Sequence, residues 1–188
     1  MFLLQASLSS IFPILDILIL ILTFAISIWN GYASGFNIGM CRKNNIEGFQ
    51  KYASYSGLGL AFVGMTYALV IVLSILAYYT GYIDIGTVEA ALSINFLVFG
   101  LLIIGFGIMV TIQSILIAAQ RKSFWSILVA IWNIFAMIVD IASYISGFKE
   151  ATSMLGGQNR RDQGSAVMIV LIAILISFFI VHAAYRFG

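Results

Sequence analysis

The chain has 188 residues, of which 62% are hydrophobic and 9% are charged, and its mean hydropathy is +1.09. Soluble globular domains are about half apolar and about a quarter charged, so this composition excludes a water-soluble particle and indicates a polytopic membrane protein. The net charge of +2, with no basic stripe, argues against nucleic acid as a partner.

Five apolar stretches are each long enough to cross the roughly 30 Å hydrocarbon core of a bilayer as a helix. They cover residues 11–35, 53–79, 90–119, 124–147 and 166–185. Spanning segments are helical because lipid offers the backbone no hydrogen-bond partners. The sequence therefore predicts an all-α fold, with residues 1–188 forming one transmembrane domain of five helices and short loops. The longest connection, residues 149–165, contains GGQNRRDQG and predicts a flexible polar loop.

The basic residues of the loops predict the orientation of the chain. With five spans, one side of the membrane holds Arg42, Lys43, Lys51, Arg121, Lys122 and Arg186. The other side holds three basic residues, Lys149, Arg160 and Arg161. Since cytoplasmic loops carry an excess of lysine and arginine, we expect the N-terminus outside and the C-terminus in the cytoplasm.

Two short fragments occur twice. IWN is found at residues 28–30 and 131–133, and YxSGF at residues 32–36 and 144–148. The first pair is offset by 103 residues and the second by 112, and an internal repeat would keep one offset. Each YxSGF copy ends a predicted span, so we interpret its tyrosine as an interfacial anchor and its glycine as the residue that closes the helix.

Small residues at regular spacing predict close contacts between helices. Ala53, Gly57 and Ala61 are four residues apart in the second span, and Gly100 and Gly107 are seven apart in the third. Small side chains allow two helix backbones to approach closely. We therefore expect these five residues to lie where helices pack.

Polar residues inside the predicted spans form the candidate functional site, which consists of Asp16, Asn30, Gln113, Asn133, Asp140 and Tyr144. A charged side chain at the bilayer centre costs about 2.5–3.5 kcal/mol or more, so an intramembrane carboxylate is a functional candidate by default. The alternative for Asp140 is a neutral aspartate bonded to a neighbouring helix. For Asp16, which follows Pro13, a role at the start of the first helix is favoured. A proton or cation site shared by the two aspartates is geometrically possible.

Enzyme signatures such as HExxH, GxSxG, CxxC and a glycine-rich phosphate loop are absent from the sequence. A single histidine, His182, excludes most histidine-based metal and haem sites, and we interpret it as a snorkelling residue near the inner surface. We therefore predict no catalytic, cofactor or metal site. The favoured function is a non-enzymatic accessory or scaffold subunit, whose partners are the lipid bilayer and other membrane subunits or further copies of the chain. The alternatives are a small channel or transporter that uses Asp140 and Asp16, and, less favoured, an enzyme acting on lipid.

Overall fold

The structure is a computed structural model that describes residues 12–188, with side chains from residue 17 onward. This part of the chain forms five helices and no strand: α1 (Phe12–Lys43), α2 (Phe49–Tyr79), α3 (Ile85–Arg121), α4 (Phe124–Gly157) and α5 (Arg160–Phe187). All five are long and apolar enough to cross a membrane. The protein is therefore an all-α bundle of the multi-pass membrane class.

Four of the helices make a compact core, and α4 lies outside it. Helices α2 and α5 pack on each other, and both contact α1 and α3. Helix α4 packs along its length on α3 alone, within the described part of the chain. The core between α2, α3 and α5 is built from small and branched side chains, among them Ala61, Val70, Ala90, Ala91 and Ala173. The position of α4 leaves most of its perimeter without a protein neighbour.

The prediction of a flexible loop over residues 149–165 is wrong. Helix α4 continues to Gly157 and α5 begins at Arg160, so only Gln158 and Asn159 connect them. The Asn159 side chain caps α5 by accepting a hydrogen bond of 2.9 Å from the backbone N–H of Asp162. Polar side chains do not end a helix by themselves, since their backbone groups can keep the helical hydrogen-bond pattern.

The interpretation of YxSGF as a helix end is also wrong. Helix α1 runs eight residues beyond Gly35, and α4 runs ten residues beyond Gly147. A Cβ on Gly35 would overlap the backbone carbonyl oxygen of Tyr185, and one on Gly31 would stand 3.3 Å from Cβ of Ala184. These glycines serve close approach between α1 and α5 and not helix termination.

The turns that precede α3 and α4 are short and capped by side chains. Asp84 precedes α3, and its carboxylate accepts a 2.8 Å hydrogen bond from the backbone N–H of Thr87. That hydrogen bond lowers the pKa of the Asp84 carboxyl below its ordinary value. Between α3 and α4, Lys122 takes a left-handed conformation with φ +49° and Ser123 caps α4. This tight turn makes α3 and α4 an antiparallel hairpin.

Candidate functional site

The contact between α3 and α4 is built around Tyr144. Its ring lies against Gly100, where a Cβ would stand 3.0 Å from Cδ2 of the ring, and it stacks on Phe96 with centroids 5.3 Å apart. Its hydroxyl donates a 3.0 Å hydrogen bond to the backbone oxygen of Leu97. A predicted polar residue and a predicted packing glycine thus meet in one contact, and the tyrosine joins the two helices.

Two further contacts set the register of this hairpin. Gly107 faces Met137, and a Cβ built on the glycine would stand 3.2 Å from Sδ of the methionine. One turn farther along α3, the Thr111 hydroxyl donates a 3.4 Å hydrogen bond to the backbone oxygen of Asn133. Each step along α3 is matched by an equal step back along α4. Asp140 is therefore level with Ile104.

Asp140 lies at the edge of the α3–α4 contact and its side chain is exposed. Since no other helix of the described chain packs along α4, the carboxyl opens onto the lateral surface of the bundle. At the depth of an apolar span, this is a surface where a carboxylate is expensive.

The polar residues predicted on α1 are not brought to Asp140. Asn30 is half-buried on α1, which packs on α2 and α5, whereas α4 packs on α3. The side chain of Asp16 lies outside the described residues. Gln113 is half-buried on α3, two residues beyond Thr111, and is closer in level to Asn133 than to the aspartate. A common binding site for the whole set stays a prediction.

The small residues predicted to pack do lie at helix contacts. Ala53 and Ala61 are completely buried, and a Cβ on Gly57 would stand 2.7 Å from Oγ of Ser34. Gly64 faces Ser27 in the same way, at 2.8 Å. This second pair escaped the sequence analysis, although the seven-residue spacing of both serines and both glycines is the signal that would have revealed it.

Asn95 is a buried polar residue that the sequence analysis missed. It is 1% exposed, and its side-chain N–H donates a 3.0 Å hydrogen bond to the backbone oxygen of Tyr67. Its Oδ1 has no partner in the described structure, nor have the buried hydroxyls of Ser74, Ser93 and Ser177. An asparagine within an apolar span was the available signal.

The C-terminal half of α4 is polar at a level where α2 is still apolar. By the register of the hairpin, Lys149 is level with Asn95, which bonds to Tyr67. Tyr67 lies twelve residues before Tyr79, the end of α2, which corresponds to about 18 Å of helix. The exposed Lys149 and its half-buried neighbour Glu150 are therefore level with the apolar C-terminal half of α2, although α4 does not pack on that helix.

At the N-terminal end of α3, polar side chains tie this helix to the α4–α5 turn. Glu89 accepts a 2.8 Å hydrogen bond from the Gln158 side-chain amide. The Asp162 carboxylate is mostly buried beside Gly86, where a Cβ would stand 2.8 Å from its Oδ2. These contacts fix the level of α5 relative to α3.

A cleft of about 410 Å³ lies between α3, α4 and α5, and it is lined by Ile94, Leu97, Thr152, Leu155, Gly156, Gln163 and Val167. Residues 12–188 contain no group of three histidine, cysteine or acidic side chains arranged to hold a metal ion. No family model, no curated protein and no solved structure matches the chain.

Proposed function

We propose that the protein is a non-enzymatic subunit of a larger integral-membrane assembly, and that α4 is the helix on which the assembly packs. The observation that carries this proposal is the polar surface of α4. Asp140 and Lys149 are exposed there, and α3 covers only one side of the helix. A bundle that functioned alone in lipid would gain nothing from such a surface.

Asp140 and Lys149 would be costly to place against hydrocarbon. A charged side chain in the centre of a bilayer costs about 2.5–3.5 kcal/mol or more, and it is normally paired or turned into a protein interior. Interhelical hydrogen bonds in membranes contribute about 0.6–2 kcal/mol each, so a partner with complementary polar groups recovers part of that cost. The apolar side chains around them, such as Ile138 and Ile145, would supply the packing surface.

The experiment is the mass of the native complex in mild detergent, with its components identified. We expect a mass above that of one chain. Ile138→Trp, a bulky change on α4 at a residue that is 61% exposed, should reduce the assembled fraction. The matched control is Ile21→Trp on α1, where the isoleucine is 57% exposed, and it should leave the mass unchanged. A single chain recovered from detergent and from lipid nanodiscs alike would refute the proposal.

Transport is the second candidate, and the exposed carboxyl of Asp140 favours it. A path for protons or cations would run along α4 at its contact with the neighbouring subunit, because Asp140 opens away from the core of its own chain. A scaffold needs only the hydrogen bonds of this residue, whereas a transporter needs its change of charge. Flux through an Asp140→Asn variant separates the two.

A further inference from the structure

Asp140 and His182 lie at the same depth in the membrane although they belong to helices that α3 keeps apart. Asp162 on α5 lies against Gly86 on α3, and these two helices run in the same direction. Counting eighteen residues along each brings α3 to Ile104 and α5 to residue 180, two residues before His182. Since Ile104 is also level with Asp140, the two side chains differ in depth by about 3 Å.

A second route through the core gives the same level. Gly31 on α1 packs against Ala184, which lies half a turn from the histidine. The Ser34–Gly57 and Ser27–Gly64 contacts of α1 with α2 put Gly31 level with Leu60, and a Cβ on the adjacent Gly59 would stand 2.7 Å from the ring of Phe106 on α3. Phe106 is two residues beyond Ile104. By this route too, the histidine is level with the aspartate to within about one turn.

Both side chains are exposed on the lateral surface of the bundle. His182 stacks on Phe178 of its own helix, with centroids 5.8 Å apart and planes at 10°, and its ring remains open to the surroundings. A carboxyl group accepts hydrogen bonds and an imidazole N–H donates one, so each group supplies what the other lacks. In hydrocarbon each would be costly alone.

We propose that His182 of one copy hydrogen-bonds Asp140 of a neighbouring copy, so that α5 of one chain packs on α4 of the next. Copies related by an axis along the membrane normal keep their depth, which brings these two residues to the same level in every contact. The basic residue nearest to Asp140 along α4 is Lys149, nine residues and about 14 Å away. On α5, His182 lies two residues beyond the level of Asp140 and Arg186 lies six residues, about 9 Å, beyond it, so the histidine is the better placed of the two. This inference rests on the proposed role of α4 in assembly and names the partner as a second copy.

The first test is cross-linking between copies in native membranes, with Cys41 replaced by serine. One tagged copy carries Asp140→Cys and a differently tagged copy carries His182→Cys. We expect a disulfide-linked dimer that contains both tags. Pairing Asp140→Cys with Leu175→Cys, which lies seven residues and about 10 Å before His182 on α5, is the matched control and should give none. Absence of the mixed species, or its equal formation with the control, would overturn the proposal.

The second test exchanges the two groups. Asp140→His alone and His182→Asp alone should each lower the association constant of the copies about tenfold, given the usual contribution of such a bond. The variant that carries both changes should recover it, because the pair is restored with its partners reversed. If the double variant does not recover the association constant, the contact between Asp140 and His182 is excluded.

These results separate the inference from the proposed function. A native complex that contains one copy of this chain with a different membrane protein would overturn self-association and keep the subunit role. A chain that is alone in membranes would overturn both.

Discussion

The ring of Tyr144 lies so close to Gly100 that a Cβ on the glycine would stand 3.0 Å from Cδ2 and 3.2 Å from Cε2 of the ring. The tyrosine hydroxyl donates a 3.0 Å hydrogen bond to the backbone oxygen of Leu97. The ring therefore cannot move away from Gly100 without breaking that hydrogen bond. This pair sets how closely α4 approaches the rest of the bundle.

Gly100→Leu should separate α4 from α3. The new side chain would collide with a ring that is held in place, and overpacking of this kind costs about 1–3 kcal/mol. The control is Gly105→Leu on the same helix, because nothing lies within 4 Å of a Cβ at that position. Thermal unfolding of both variants in the same detergent is the measurement. Equal stability of the two would mean that Tyr144 does not fix the spacing of the helices.

Gly57→Leu should disrupt the contact between α1 and α2. A Cβ at this position stands 2.7 Å from Oγ of Ser34, and Ser34 itself is 5% exposed, so a larger side chain has nowhere to go. We expect a loss of about 1–3 kcal/mol in detergent stability. Leu58→Ile, next to it on the half-buried surface of α2, should cost less than about 1.5 kcal/mol. Similar tolerance of both changes would place that face of α2 against lipid.

Asp84 should make the first turn of α3 sensitive to acid. Its pKa in the folded protein is lowered by the hydrogen bond from the Thr87 N–H, so its stabilising contribution is complete above the unfolded pKa of about 3.9 and is lost as the pH falls through the folded pKa. Asp84→Asn keeps an acceptor that does not titrate. The melting temperature of the wild type should therefore fall towards, or below, that of the variant as the pH drops below about 4. If the melting temperatures of the wild type and of Asp84→Asn change in parallel with pH, the ionised Asp84 cap does not contribute to stability.

The orientation of the chain can be tested by labelling single cysteines in a Cys41→Ser background. Asp84, Asn159 and Asn44 are all exposed and lie in the turns between helices. From the distribution of basic residues, we expect an impermeant reagent to label cysteines at Asp84 and Asn159 from outside and to spare one at Asn44. Labelling at position 44 alone would show that the orientation is the reverse of the predicted one. Labelling at all three positions would contradict the prediction of five spans.

Asp140→Asn decides between the scaffold and transport functions. An amide retains hydrogen-bonding ability but cannot cycle its charge, so a scaffold should assemble almost normally, with a loss of no more than about 1.4 kcal/mol or tenfold in association. A transporter should assemble and lose its flux. Assembly by native gel and flux in the same proteoliposomes are measured together. Normal flux in the variant would eliminate transport through this residue.

The lengths of the apolar segments alone identified the five helices, because a segment that crosses lipid must satisfy its own backbone hydrogen bonds. Spacing of small residues also located real contacts, since Gly100 and Gly107 share one helix face and any neighbour that meets one meets the other. Local pattern was a poor guide to helix ends. YxSGF has the composition of a helix end, yet Gly35 lies in the middle of α1, where a carbonyl of α5 comes too close for any side chain.

The lateral arrangement of the helices was decided by the tertiary structure. Hydropathy is a property of each segment, whereas the neighbours of a helix depend on which surfaces fit together over the whole length of the bundle. Nothing local to α4 indicates that it packs on α3 alone, and nothing local to Asp140 or His182 indicates that they share a depth. These residues are linked in register by side-chain contacts that run through the other helices, and such non-local information appears only when the helices are packed.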